Sequence, residues 1–344
     1  MLTPEITLQL QLAARRLAAG RLVAFPTETV YGLGADAENP EAVSRLYAVK
    51  GRPAGHPVIV HLAPGSDIGY WAKSIPAQAR DLIRNFWPGP LTIILQRADH
   101  ISPVISGGQD SIGLRCPSHP IAQVLLRQFA ALKPQGHGGL AAPSANKFGR
   151  VSPTTAAHVR DEFPELDSSD LMVLEGGPAK VGIESTIIDL SRLNRGAAPA
   201  LLRPGGVSAA QVEAVLGIEL SRRDELSPRV SGSLKAHYAP RTPLLLLSAD
   251  QLRDLAEEAA SGTERVAAVV FDPPREIRLL SVRWHVAPTD PHQYAHDLYA
   301  LLRRLDEEGY ARILIEHPPR TAAWQAVNDR LGRAAAAFQD QTPK

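Results

Sequence analysis

The sequence predicts an α/β fold in two parts. Three observations carry the prediction: short strands and helices are mixed along the first 208 residues, the strands are apolar on both faces, and a clean strand–helix alternation restarts after residue 241. Strands buried on both faces need helices over the sheet, and strands that follow one another directly add antiparallel pairs. The first part is therefore expected to be a twisted mixed sheet, and residues 242–344 a smaller, doubly wound, Rossmann-like α/β domain.

The elements follow in order. EITLQLQLAARRLAA (5–19) repeats its apolar residues at helical spacing, with Gly20 as its stop. Leu22–Phe25 reads as a buried strand ended by Pro26, 41–50 as a helix that delivers Lys50 at its end, and 57–62 as a strand. A helix over 75–87 leads to strands at 91–96 and 111–117, then to a helix from His119 to Phe129. GGLAAPSAN (138–146) contains a short strand, and Pro153 is expected to open a helix capped by Ser152. Strands at 171–177, 185–191 and 200–206 have Gly or Pro exits, and 208–217 is a helix with Ser208 and Gly217 as its caps. Residues 209–241 hold that last helix and a long irregular linker, 218–241. Linkers of this length are often functional.

Composition narrows the function. Thirty-seven Lys and Arg against 36 Asp and Glu give +1, and aromatics are 5%. Bulk nucleic-acid binding wants more positive charge and more stacking surface, so direct RNA binding is expected to be weak or absent. The single cysteine, Cys116, excludes an intrachain disulfide and a multi-cysteine zinc site and fits a reducing cytoplasm. No run of about 18 apolar residues suggests a membrane span.

The residues able to do chemistry lie at strand ends. In PTETVYGLG (26–34), Thr27 and Thr29 flank Glu28 after a buried strand, where α/β folds bind ligands; a turn capped by Thr27 is the alternative. Lys50 and Arg52 flank Gly51, a phosphate grip or simply cations at a helix C-terminus. Ser111, Gly113 and Arg115 share one strand face, and an arginine inside a strand needs an anionic ligand, a wet cavity or a buried Asp or Glu. Ser144, Asn146, Ser152 and Thr154 gather hydroxyl and amide groups in one loop, while Ser185 and Thr186 open a strand and Arg203 closes another. There is no GxxxxGK[ST], HExxH, CxxC or GxSxG. His292 and His296 are four apart, but a solvated helix face explains them. The set is suited to binding and orienting anions, which is most of what phosphoryl chemistry asks of a protein.

FPTETVYGLGADA, KGRP with PVIVHL, FWPGPLTIIL, GLRCPSHPIA, APSAN, GIESTIIDL and LLRPGG, in this order, resemble the YrdC-like family. HYAP (237–240) and the NDRLGRAA ending are similar to the second domain of its two-domain threonylcarbamoyladenylate synthases. The resemblance implies a YrdC-like sheet with a concave basic cavity over 1–208, and an adenylyl transfer: L-threonine, bicarbonate or CO2, and ATP give threonylcarbamoyladenylate and pyrophosphate. It implies Mg²⁺ with the ATP, no organic cofactor, a cytoplasmic location, no membrane, and a separate tRNA threonylcarbamoyl transferase complex as recipient. By motif, Thr27, His61, Arg115, the Ala142 backbone and Ser185 would hold threonine. Lys50 and Arg52 would act on the phosphates, and His56, Ser111, Ser144, Asn146, Ser152, Arg203 and Tyr238 would contact ATP. His56 stands where the family often has Asn, and the loop 132–139 is longer than expected. A related domain occurs in hydrogenase maturation factors, but their acylphosphatase and zinc-finger parts do not fit one cysteine and 344 residues.

Overall fold

The computed structural model describes residues 3–260, 263–273 and 281–341. The chain divides into two units: Met1–Phe148 with Ser152–Ser233, and Gly149–Val151 with Leu234–Lys344.

The first unit is built on a sheet of ten strands. Along the chain run α1 (Pro4–Ala18), β1 (Leu22–Phe25), β2 (Gly32–Asp36), α2 (Pro40–Lys50), β3 (Ile59–Leu62), α3 (Ile68–Trp71), α4 (Ala77–Phe86), β4 (Leu91–Gln96) and β5 (Ser111–Arg115). Then come α5 (Pro120–Ala131), β6 (Gly139–Ala141), α6 (Ala156–Glu162), β7 (Leu171–Val173), β8 (Thr186–Asp189), β9 (Ala200–Arg203), α7 (Ala209–Leu216) and β10 (Ser221–Arg222). The strand order is β10-β9-β8-β4-β5-β3-β6-β2-β1-β7. Parallel pairs (β3 with β5, β4 with β8) alternate with antiparallel ones (β4 with β5, β8 with β9), the mixed sheet expected from the sequence.

Local chemistry sets the helix ends. Thr3 caps α1 ahead of Pro4, Asn39 caps α2 ahead of Pro40, and Ser208 with Gln211 forms a capping box on α7. Gly51 ends α2 at φ 62°, a left-handed conformation that a side chain would oppose. Three expectations are corrected. The segment 26–34 is not a turn throughout: the turn capped by Thr27 is present, but from Gly32 the chain is a strand, because Gly32–Asp36 pairs with both β1 and β6. The helix expected at Pro153 begins at Ala156 and is capped by Thr155; the Ser152 hydroxyl is drawn instead to Glu184, 2.6 Å away. The linker is not wholly irregular, since Ser221 and Arg222 add the edge strand β10 beside β9.

Helices cover the sheet unequally. One face carries the largest core, with Val60, Ile93 and Leu114 under α4 and α7. On the other face α1 and α5 cover β1 and β6, burying Leu10, Leu17, Leu125, Phe129 and Phe25. Beside that cluster, Ile59, Ile94, Ile187 and Leu202 pack with Val230, from the chain after β10.

Among the described residues the second unit has four parallel strands in the order β11-β14-β12-β13: β11 (Leu244–Leu247), β12 (Val266–Val270), β13 (Val282–Val286) and β14 (Arg312–Glu316). Its helices are α8 (Ala249–Ala260), α9 (Pro291–Glu307) and α10 (Gln325–Ala335). A 3-10 turn, Ala322–Trp324, precedes α10. Among the described residues no helix is long and apolar enough to cross a membrane.

Candidate functional site

The strand face beside α1 and α5 is polar where an ordinary core would be apolar. On β3 and β5, His61 and Arg115 stand in register. Arg115 is 4% exposed, and its Nη2 donates to Glu28 Oε1 at 2.7 Å. The other Glu28 oxygen accepts the Ser118 amide at 3.0 Å. The buried ion pair that the sequence left open is therefore present, with Glu28, between the two threonines, as the partner. Arg115 Nε has no hydrogen-bond partner among the described residues, so the guanidinium keeps an unused donor. His61 is buried against the Phe25 ring edge, with Nδ1 3.3 Å from Ile59 O. Burial, with the Arg115 charge beside it, holds its pKa down at about 3, so the imidazole is neutral.

On the neighbouring strands, the Ser185 hydroxyl lies 2.7 Å from that of Thr92. Arg203 closes over Ser185, Nε donating to its carbonyl at 3.0 Å and Nη2 to its hydroxyl at 3.1 Å. The remaining Arg203 nitrogen, Nη1, donates to Ser231 O at 2.9 Å. Gly113 leaves the face open here, since a Cβ would lie 3.1 Å from Ile94 Cδ1. Arg229, Val230 and Ser231 lie across Ser111, Gly113 and Ile187, enclosing a space of about 10 Å³, room for about one water. Gln109 pins this stretch by accepting the Arg229 amide at 2.7 Å, and Arg192 holds Asp224.

A second cluster gathers around Lys50. It is 2% exposed, and its Nζ donates to the carbonyls of Ser144, at 2.6 Å, and Asn146. Burial first, and the Arg52 charge second, push the Lys50 ammonium well below the usual lysine range. Arg52 donates from Nη2 to Pro57 O at 2.7 Å and lies over the Phe148 ring, which also meets His56 edge-on. Residues 142–146 join the two clusters: the Ala142 amide donates to Ile59 O on the strand that carries His61, and Ser144 and Asn146 receive Lys50.

Thr27 is buried, and its hydroxyl serves its own turn, donating to Val30 O at 2.6 Å and accepting the Thr29 amide at 3.2 Å. Tyr238 belongs to the second unit, where it is buried at φ 62° with the Arg330 guanidinium 5.2 Å over its ring. The sequence reading missed Glu28, Thr92, Glu184 and Phe148 as partners of the chosen residues. Glu28 had a signal, since a carboxylate between two hydroxyls answers a lone strand arginine. Thr92 had none, being one polar residue in an apolar strand.

Residues 15–205 match the family model of the Sua5, YciO and YrdC proteins, described as "Telomere recombination", and residues 207–336 match "Threonylcarbamoyl-AMP synthase, C-terminal domain". The threonylcarbamoyl-AMP synthase of Bacillus subtilis is 36% identical over 335 residues, covering 95% of this chain and 93% of that protein. Its counterpart in Pyrococcus abyssi is 35% identical over 335 residues, covering 95% and 94%. The solved structure of Pyrococcus abyssi Sua5 complexed with L-threonine superposes with a TM-score of 0.82 at 33% identity, over 97% of this chain and 95% of that one. Both parts of the chain are matched in order and nearly end to end, and it belongs to the threonylcarbamoyl-AMP synthase family.

Proposed function

We propose that the polar strand face and the Lys50 cluster together form the synthase site, with threonine over His61 and Arg115 and the nucleotide phosphates toward Lys50 and Arg52. The supporting observation is convergence: five separate segments bring buried cations and hydroxyls to two clusters joined through residues 142–146. The family uses ATP to adenylate a substrate. In the proposed sequence the threonine amine takes up CO2, an oxygen of the resulting N-carboxylate attacks the α-phosphorus, and the bond to pyrophosphate breaks. Arg115, with a donor to spare, takes the threonine carboxylate. Neutral His61 and the buried Thr27 and Ser185 shape the rest of that pocket beside the Ala142 backbone. Lys50 and Arg52 offset the charge that develops on the phosphates. His56, Ser111, Ser144, Asn146, Ser152 and Arg203 hold the nucleotide. The work divides as a catalytic domain over 1–208, a helix and linker over 209–241, and a second domain over 242–344.

The described residues include no group of three His, Cys, Asp or Glu able to hold a metal ion. Magnesium at phosphates needs only one or two carboxylates, the rest of its shell being phosphate and water, and we assign it to the substrate, entering as the ATP complex. The product passes to a tRNA-modifying transferase in the cytoplasm. The deciding experiment is pyrophosphate release from ATP, expected only when threonine and bicarbonate are both present. Release that ignores either one defeats the assignment.

A further inference from the structure

The second unit has a cleft of its own. It lies at the carboxyl ends of β11 and β14, which pair in parallel from Leu244 with Ile313 to Leu247 with Glu316. β11 leads into α8, which packs on the face carrying Leu245 and Leu247. β14 leads into α10, which packs against β11 and lines the cleft together with Leu246. Leu246 belongs to the opposite face from Leu245 and Leu247. Two neighbouring parallel strands thus send their helices to opposite faces, and the crevice left between them is where open α/β sheets bind ligands.

The cleft measures about 530 Å³, within the range that holds small molecules. Its walls are largely apolar, and the polar side chains set in them are one-signed: Arg320, Thr321, Gln325 and Asn328 with His317, and no carboxylate. Arg320 makes no hydrogen bond or ion pair with another described residue. Burial and the Arg320 charge push the His317 imidazole below its usual range, so it stays neutral and can donate or accept. Asn328 ties the loop to α10 by donating to Pro319 O at 2.9 Å. The Arg320 fork suits an anion. Gly332 stands inside α10, where glycine weakens a helix, and a Cβ there would meet nothing within 4 Å. Its absence of side chain keeps the cleft wide.

We propose that this cleft is a second ligand site, for a phosphate monoester of up to mononucleotide size, with Arg320 on the phosphate and Thr321, Gln325 and Asn328 on the polar body. The test is a backbone amide NMR titration of the full chain with ribose 5-phosphate, alongside ribose and acetate. Ribose 5-phosphate should shift the amides of Thr321, Ala322, Gln325 and Gly332 saturably. Arg320→Ala should weaken binding at least tenfold, and Gly332→Leu, which fills the cleft, should abolish it. Both variants should keep pyrophosphate release at the normal rate, which separates this site from the synthase reading. The proposal is overturned if those amides do not move, if either variant binds as tightly as the unaltered chain, or if acetate or ribose alone binds as tightly as ribose 5-phosphate.

Discussion

Arg115 and Lys50 are both buried cations in the first unit, yet they are accommodated in opposite ways. Arg115 has a full counter-charge in Glu28, itself held by a backbone amide. Lys50 has only neutral carbonyls as hydrogen-bond partners, and the Arg52 charge nearby adds to its discomfort. A buried cation facing a carboxylate is nearly neutral as a unit and serves as a fixed frame. A buried cation hydrogen-bonded only to carbonyls, with the Glu162 charge offsetting it in part, keeps positive charge that an incoming polyanion relieves. The difference separates a rigid end of the site, suited to a small amino acid, from a charge-hungry end, suited to phosphates.

Removing Glu28 tests the first half of that contrast most severely. Glu28→Ala should destabilise the protein by about 3–5 kcal/mol, because it strands a buried guanidinium. Urea denaturation measures it, and a loss under about 1 kcal/mol would show that the pair is not the compensation described here. Lys50 should behave in reverse. Lys50→Met should lower turnover roughly 10²–10³-fold, about 2.7–4 kcal/mol, by removing a preorganised donor from developing charge. Its stability cost should be no more than about 1–3 kcal/mol for the carbonyls left behind. If Lys50→Met turns over normally, the phosphate end has been misassigned. Arg115→Ala should weaken threonine binding by about 2–4 kcal/mol, read by calorimetry on folded protein. Threonine affinity within twofold of the unaltered chain would remove Arg115 from that pocket.

The contrast also explains what could be read from the chain. Helix ends were legible where the signal was local: Ser208 and Gly217 bound α7 as expected, since a capping box and a left-handed glycine act within a few residues. Ser152 before Pro153 carried the same local signal and was misread, because the hydroxyl is claimed by Glu184, 32 residues away. Gly32–Asp36 was hidden for a related reason. A strand with glycines at 32 and 34 has little β-propensity, and its pairing with β1 and β6 makes it a strand. At the site, residue types in ordered motifs marked Arg115 and Lys50, but which of them meets a carboxylate is decided by tertiary contacts. The covering of the strand face by Val230 had no signal in a segment without periodicity.

His61 sharpens the comparison at its smallest scale, because it shares the rigid end with Arg115 but carries no charge. Its imidazole is held at a pKa of about 3, first by burial and then by the Arg115 charge, while an unfolded chain returns it to about 6.5. The unfolded chain therefore binds the proton more readily. The stability tied to a neutral His61 is complete above pH 6.5 and is lost as the pH falls from there toward 3. The slope that one such group can add is at most about 1.4 kcal/mol per pH unit. Burial pushes His119 and His285 the same way, so total stability against pH does not isolate His61. The difference from His61→Gln does. Between pH 6 and 4 the unaltered chain should lose stability more steeply than His61→Gln, by up to about 1.4 kcal/mol per pH unit in urea denaturation. Parallel curves would mean that His61 takes a proton in place, and the end of the site described as rigid and charge-balanced would carry a second positive charge beside Arg115.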